Sequence, residues 1–251
     1  MQYLLSRTSR AILTRLATEK TLCAFDFDGT LSPIVDHPDQ AGMREPTRSL
    51  LRRLAAVYPC IILSGRARGD VISKLGDVQV AKVIGNHGAE SEDAAYSGRA
   101  EVRNWAAMLQ AALGSIEGVW IEDKGFSLAV HYRQSPRKVE ARKRILEAAQ
   151  NLHGVRVFGG KYVVNLVASR EPNKGEALAT ERDRLGCDWV LFVGDDENDE
   201  DAFALGGNIV AVRVGWSRRS HARYYVRSQP EVDELLEQLI LLRESGGQQA
   251  D

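Results

Sequence analysis

The 251-residue sequence predicts an α/β protein built on a parallel sheet, with a smaller α+β unit inserted into it. Three observations lead there. Short, unbroken apolar runs alternate with helical segments towards both ends of the chain, as expected for strands covered on both faces. The middle of the chain changes to helix, two strands, helix, two strands, the order of an antiparallel sheet with helices on one side. Acids and cations fall just beyond the apolar runs, where open α/β sheets bind ligands.

The elements follow in order. Residues 1–18 carry Arg7, Arg10 and Arg15 but no acid, a composition shared with transit peptides. The helical spacing of Leu5, Ile12, Leu13 and Leu16 favours a packed first helix instead. Residues 21–27 (TLCAFDF) read as the first buried strand, 46–57 as a helix opened by Pro46, and 60–65 (CIILSG) as a second strand. A helix near 68–75 precedes a strand at 81–86. The inserted unit then has helices near 99–113 and 136–150, each followed by a strand pair: VWIED with FSLAVHYR around Lys124-Gly125, and VRVFGG with YVVNLVA. A helix over 173–185, a strand over 188–194, a helical 199–205, a strand over 208–214 and an amphipathic helix over 230–243 close the chain, with a polar tail ESGGQQAD expected to fray. The expected division is residues 1–90 plus 170–251 for the core and 91–169 for the insert.

With 44% hydrophobic and 27% charged residues, the composition is that of a globular protein, not a disordered or collagen-like one. Thirty-three basic and 34 acidic residues leave a net charge of −1, no footprint for nucleic acid. No apolar run reaches the ~20 residues of a membrane span. Cys23, Cys60 and Cys187 have no metal-site spacing and read as buried free thiols of a reducing, cytoplasmic compartment. His131 and His153 read as structural or surface residues, Trp105, Trp120, Trp189 and Trp216 as core. The cluster Arg218, Arg219, Arg223 and Arg227 reads as a solvated face.

Chemistry concentrates at four strand or helix ends. Asp26 and Asp28, in Asp26-Phe27-Asp28-Gly29-Thr30, share a strand parity and can face one pocket, where they repel unless a cation or proton lies between them. Ser64-Gly65-Arg66 offers a hydroxyl, a permissive backbone and a guanidinium, each able to hold phosphate oxygens. Lys174 stands at a helix start, and Asp195, Asn198 and Asp199 belong to an acidic run directly after an apolar strand. Each has an ordinary alternative, a polar turn or a solvated helix start. Four complementary strand ends together are hard to assign to turn composition.

These motifs resemble those of the haloacid dehalogenase (HAD) superfamily in order and spacing across the whole core: DFDGT, the serine after the second strand, the helix-start lysine and GDDxxD. The resemblance implies a Rossmann-like HAD core and phosphoryl transfer through an aspartyl-phosphate. Asp26 would be the nucleophile and Asp28 the general acid and then base, while Ser64 and Lys174 would hold phosphoryl oxygens. Mg2+ would be held by Asp26, the Asp28 carbonyl and Asp195, supported by Asn198 and Asp199. An acid at Asp28 favours a phosphatase over a long-lived phosphoenzyme.

The insert resembles a C2B-type cap, and DFDGTLSPIV, SGR, GNHGAE, Glu122-x-Lys124, HYR and NKG are most similar to the trehalose-6-phosphate phosphatase family. That similarity implies sugar contacts from Glu122, Lys124 and Arg133 on the cap and from Arg66, His87 and Glu90 on the core. By themselves, Lys124 could be a turn lysine and Arg133 a strand-end surface charge. Asn165 departs from the family pattern, where a glutamate is expected, and Asn198 stands where threonine is common. The expected function is therefore Mg2+-dependent hydrolysis of trehalose 6-phosphate by a monomer. The alternatives are a phosphatase for another sugar, glycosyl-glycerate or pseudosugar phosphate, or a non-catalytic sugar-phosphate sensor.

Overall fold

The computed structural model describes residues 1–35, 38–92, 99–160 and 162–247. The chain begins with β1 (Gln2–Tyr3), α1 (Arg10–Thr18), β2 (Thr21–Phe25), α2 (Glu45–Val57), β3 (Cys60–Leu63), α3 (Arg68–Leu75) and β4 (Lys82–Ile84). The insert supplies α4 (Arg99–Leu113), β5 (Trp120–Asp123), β6 (Ser127–His131), α5 (Lys138–Ala149), β7 (Val155–Gly160) and β8 (Val163–Ala168). The chain then returns through α6 (Lys174–Leu185), β9 (Trp189–Gly194), α7 (Glu200–Phe203), β10 (Ile209–Val214), β11 (Tyr224–Val226) and α8 (Pro230–Gly247).

Seven parallel strands form the main sheet in the order β1-β11-β10-β9-β2-β3-β4. All five residues of β2 are buried because helices cover both faces. Cys23 and Phe25 pack with Leu16 of α1, Leu51 and Leu54 of α2 and Leu235 of α8. Leu22 and Ala24 pack on the other side with Leu178 of α6 and Phe203 of α7. The three cysteines are buried and free, and Cys23 lies opposite Cys60 across the β2–β3 pair.

The insert has an antiparallel sheet in the order β5-β6-β8-β7. Strand alternation divides its residues cleanly. Leu128, Val130, Val164 and Leu166 pack against Val102, Trp105 and Leu109 of α4 and Ala141 and Ile145 of α5. By the same alternation and register, Trp120, Glu122, Ala129, His131, Val163 and Asn165 share the opposite face.

Three sequence expectations need correction. β1 and β11 escape the hydrophobic pattern because one has two residues and the other sits within an arginine-rich stretch, so backbone pairing alone marks them. Trp105 is core, but Trp120 is 44% and Trp216 62% exposed. Helix α8 continues to Gly247, into the tail expected to fray, whose last four residues lie outside the described ones. Among the described residues, no helix is long and apolar enough to cross a membrane.

Candidate active site

β2 and β9 are neighbours in register, with Phe25 beside Val193, so the residues that leave their carboxyl ends emerge side by side. The Asp26 N–H donates to the Val193 carbonyl at 2.9 Å. β3 and β4 extend the sheet on one side of this pair and β10 and β11 on the other. The strand order reverses between β2 and β9, and this opens the crevice in which doubly wound sheets bind ligands.

Asp26 is buried, and the Lys174 ammonium donates to its Oδ1 at 2.7 Å. The same ammonium donates to Asp199 Oδ1 at 2.7 Å. Asp199 has its second oxygen engaged too, accepting from the N–H groups of Asp195 and Asp196 at 2.8 and 3.0 Å. It thereby ties the lysine to the loop after β9. Lys174 is the first residue of α6, placed there by a capping box: Asn173 accepts from the Glu176 N–H at 2.8 Å, and Glu176 accepts in return from the Asn173 N–H at 2.9 Å.

Carboxylate oxygens of Asp26, Asp195 and Asp199 all lie within 4.8 Å of one another. Burial pushes the Asp195 carboxyl up to about 9, helped by repulsion from Asp26 and Asp199. Asp26 is pushed up to about 8, burial and the neighbouring acids outweighing the pull of Lys174. Burial acts to lower the Lys174 pKa, but Asp199 and Asp26 more than offset it and keep the ammonium charged. Among the described residues, Asp195 Oδ1 and Asn198 Oδ1 are buried without a hydrogen-bond partner. Hard oxygen donors held this close, with two oxygens unsatisfied, suit a small divalent cation such as Mg2+. Gly29 admits the Asp195 carboxylate: its φ is +81°, and a β-carbon there would collide with that group.

Above these acids lies a cavity of about 620 Å3, bordered by Asp26, Asp28, Asp195 and Asn198 on the core and by residues of the insert. Both oxygens of Asp28 are held by the Arg66 fork, at 2.6 Å from Nε and 2.8 Å from Nη2. Asp70 accepts from the same guanidinium at 2.8 Å. Ser64 is fully buried and its Oγ accepts from the Arg66 N–H at 3.2 Å. His87 borders the cavity with a left-handed backbone (φ +61°), and neither ring nitrogen has a hydrogen-bond partner among the described residues. Burial, with Lys124, Lys174 and Arg156 nearby, lowers its pKa and keeps the imidazole neutral. Its ring lies where a β-carbon at Gly65 would fall, so only glycine fits there.

The insert contributes Glu122, Lys124, Arg133 and Asn165 to the same cavity. Lys124 reaches the core and donates to the Gly65 carbonyl at 3.1 Å. Burial lowers its pKa, with Glu122 and Asp28 acting in the other direction. Ser127 at the next strand start bonds Asn86 Oδ1 at 2.5 Å, so this end of the insert's sheet rests on the core. Ser64, Lys174, Asp199 and Glu90 are not among the residues bordering the cavity; the Glu90 carboxylate accepts from the Arg68 N–H at 2.6 Å and Asn86 Nδ2 at 2.7 Å.

The structure also adds residues that sequence reasoning passed over. His131, read as structural or surface, borders the cavity and bonds Glu122 Oε2 through Nε2 at 2.8 Å. Burial opposes ionisation of Glu122, but the His131 bond and Lys124 bring its pKa below the ordinary range. Trp120, read as core, stacks on the His131 ring at 3.9 Å between centroids and 11° between planes. The available signal was strand parity, since Trp120 shares its parity with Glu122 and His131 with Arg133.

The sequence model of the trehalose-phosphatase family matches residues 24–229, most of the chain. The chain belongs to the trehalose-phosphatase family. It is 38% identical over 206 residues to a trehalose-phosphate phosphatase of Mycobacterium ulcerans, covering 76% of this chain and 53% of that protein. A Mycobacterium leprae relative of the same description is 35% identical over 242 residues, covering 86% and 56%. The chain thus spans about half the length of the curated relatives it matches. Among solved structures, the C-terminal domain of the Candida albicans trehalose-6-phosphate phosphatase aligns with a TM-score of 0.80 at 23% identity, covering 93% of this chain and 97% of that one. Aspergillus fumigatus trehalose-6-phosphate phosphatase aligns at 0.62 and 26% identity, covering 96% and 100%. The α/β core with its inserted antiparallel sheet is the architecture of these HAD-type phosphatases.

Proposed function

We propose that this family member is a Mg2+-dependent phosphatase that hydrolyses trehalose 6-phosphate to trehalose and phosphate through an aspartyl-phosphate on Asp26. The observation that carries the reading is the Lys174 ammonium 2.7 Å behind Asp26, which borders a cavity also lined by the insert's polar residues. A carboxylate that attacks a phosphate dianion needs its charge and the phosphoryl charge neutralised together. Asp26, the Asp28 carbonyl and Asp195 would hold Mg2+, with Asn198 and Asp199 in support, and the ion when bound supplies Lewis-acid stabilisation of phosphoryl oxygens. Lys174 and Ser64 would take the remaining oxygens.

Asp26 attacks phosphorus, the P–O bond to the sugar breaks, and Asp28 gives its proton to the departing alkoxide. Asp28 then takes a proton from the water that cleaves the aspartyl-phosphate. Both Asp28 oxygens accept from Arg66, so the carboxyl turns to the leaving oxygen only once one of those bonds is released. The insert would hold the sugar through Glu122, Lys124, Arg133 and Asn165, with Arg66 and His87 approaching from the core. We assign Glu90 instead to bracing the loop that carries His87, since its hydrogen bonds join Arg68 to Asn86.

Asn165 favours one second reading, a phosphatase for a different sugar phosphate, because an amide cannot supply the charge of the glutamate expected there. Phosphate release with Mg2+ over a panel of sugar phosphates separates the two, with Asp26→Asn and EDTA as controls. Preference for trehalose 6-phosphate, abolished by both controls, is the expected result. Turnover that survives Asp26→Asn overturns the mechanism, and preference for another sugar phosphate overturns the substrate.

A further inference from the structure

We propose that Trp120 is a stacking platform for the sugar unit farther from the phosphate and sets the preference for disaccharide over monosaccharide phosphates. The inference rests on the phosphatase reading above. Trp120 opens β5 and shares a strand face with Glu122, the face opposite the one packed on α4 and α5. A tryptophan serving only the insert's fold would belong with its neighbour Ile121, which packs against the helix-covered cluster. Trp120 instead remains 44% exposed and borders the cavity.

Its position is held firmly. One ring face lies on His131, which is fixed in turn by its 2.8 Å bond to Glu122. Lys124 marks the end of the hairpin that rests on the core beside Arg66, through its bond to the Gly65 carbonyl. Four residues at ~3.3 Å each put Trp120 about 13 Å farther out along the strand. That separation exceeds the width of a single pyranose ring, which is why we place the indole against the second sugar. Ile34, 53% exposed, borders the same cavity from the core and offers a second apolar surface. A rigid indole carries large apolar area at little entropic cost, and the axial C–H groups of a pyranose form a matching apolar face.

The test measures kcat/KM for trehalose 6-phosphate, other disaccharide phosphates, glucose 6-phosphate and p-nitrophenyl phosphate with the wild type, Trp120→Ala and Trp120→Phe, each checked for an unchanged Tm. The expected result is a loss of about tenfold in Trp120→Ala on the disaccharide phosphate, mainly in KM, with Trp120→Phe retaining most of the activity. Glucose 6-phosphate and p-nitrophenyl phosphate should change by less than about twofold. An equal loss on every substrate, or none on the disaccharide, overturns the platform. If the wild type ignores trehalose 6-phosphate but hydrolyses another disaccharide phosphate, the substrate reading fails and the same comparison on that compound decides the platform. Absence of turnover on every disaccharide phosphate overturns both.

Discussion

Replacing Lys174 by Met tests the electrostatic construction of the site. The lysine is 1% exposed and is the cation that pairs Asp26 and Asp199, both of which are themselves buried. Methionine preserves most of the side-chain volume, so packing changes little and the effect isolates the charge. Removing one partner of a buried pair leaves uncompensated charge and costs roughly 3–5 kcal/mol. At about 2–4 °C per kcal/mol for a chain of this size, the metal-free variant should melt ~6–20 °C below the wild type in alkaline buffer, above the value of about 8 to which Asp26 is pushed. The deficit has a direction with pH. Lys174 lowers the Asp26 pKa, so its removal pushes that carboxyl further up. The deficit should grow as pH rises through about 8 and shrink in acid, where Asp26 is protonated in both proteins. Thermal denaturation of both proteins in EDTA, repeated across pH, measures this directly. Adding Asp199→Asn to the variant should recover part of the loss, because it deletes one of the stranded charges. A shift equivalent to less than about 1 kcal/mol, or one that stays constant with pH, would refute the reasoning that Lys174 neutralises the site.

Metal binding should release protons. The Asp26 and Asp195 carboxyls, pushed up to about 8 and about 9, hold protons in the metal-free protein that Mg2+ must displace. Their raised pKa values also stabilise the metal-free fold in acid, a contribution lost as pH rises through those values. The rise in Tm on adding Mg2+ should therefore grow between pH ~6 and ~9, and a flat response would contradict the assignment. Asn165→Glu should raise the kcat/KM ratio of trehalose 6-phosphate to other sugar phosphates by about tenfold if the missing charge limits recognition. An unchanged ranking in the phosphate-release panel would remove that idea.

The sequence by itself determined the α/β class and the placement of Asp26, Asp28, Ser64, Lys174 and Asp195, because an apolar run that ends in a polar residue marks a strand end locally. Asn173-Lys174-Gly175-Glu176 likewise signals its own helix start, since both halves of the capping box lie within four residues. Only the tertiary structure decided which of these groups meet. Lys174 reaches Asp26 across 148 residues, and the Arg66 fork closes on Asp28 across 38. Neither separation leaves a periodic trace in the chain. The same holds for Trp120 and His131, which stack because β5 and β6 pair in one particular register. A shift of one residue would turn either side chain to the helix-covered face, so local pattern can nominate such residues while backbone pairing alone brings them together.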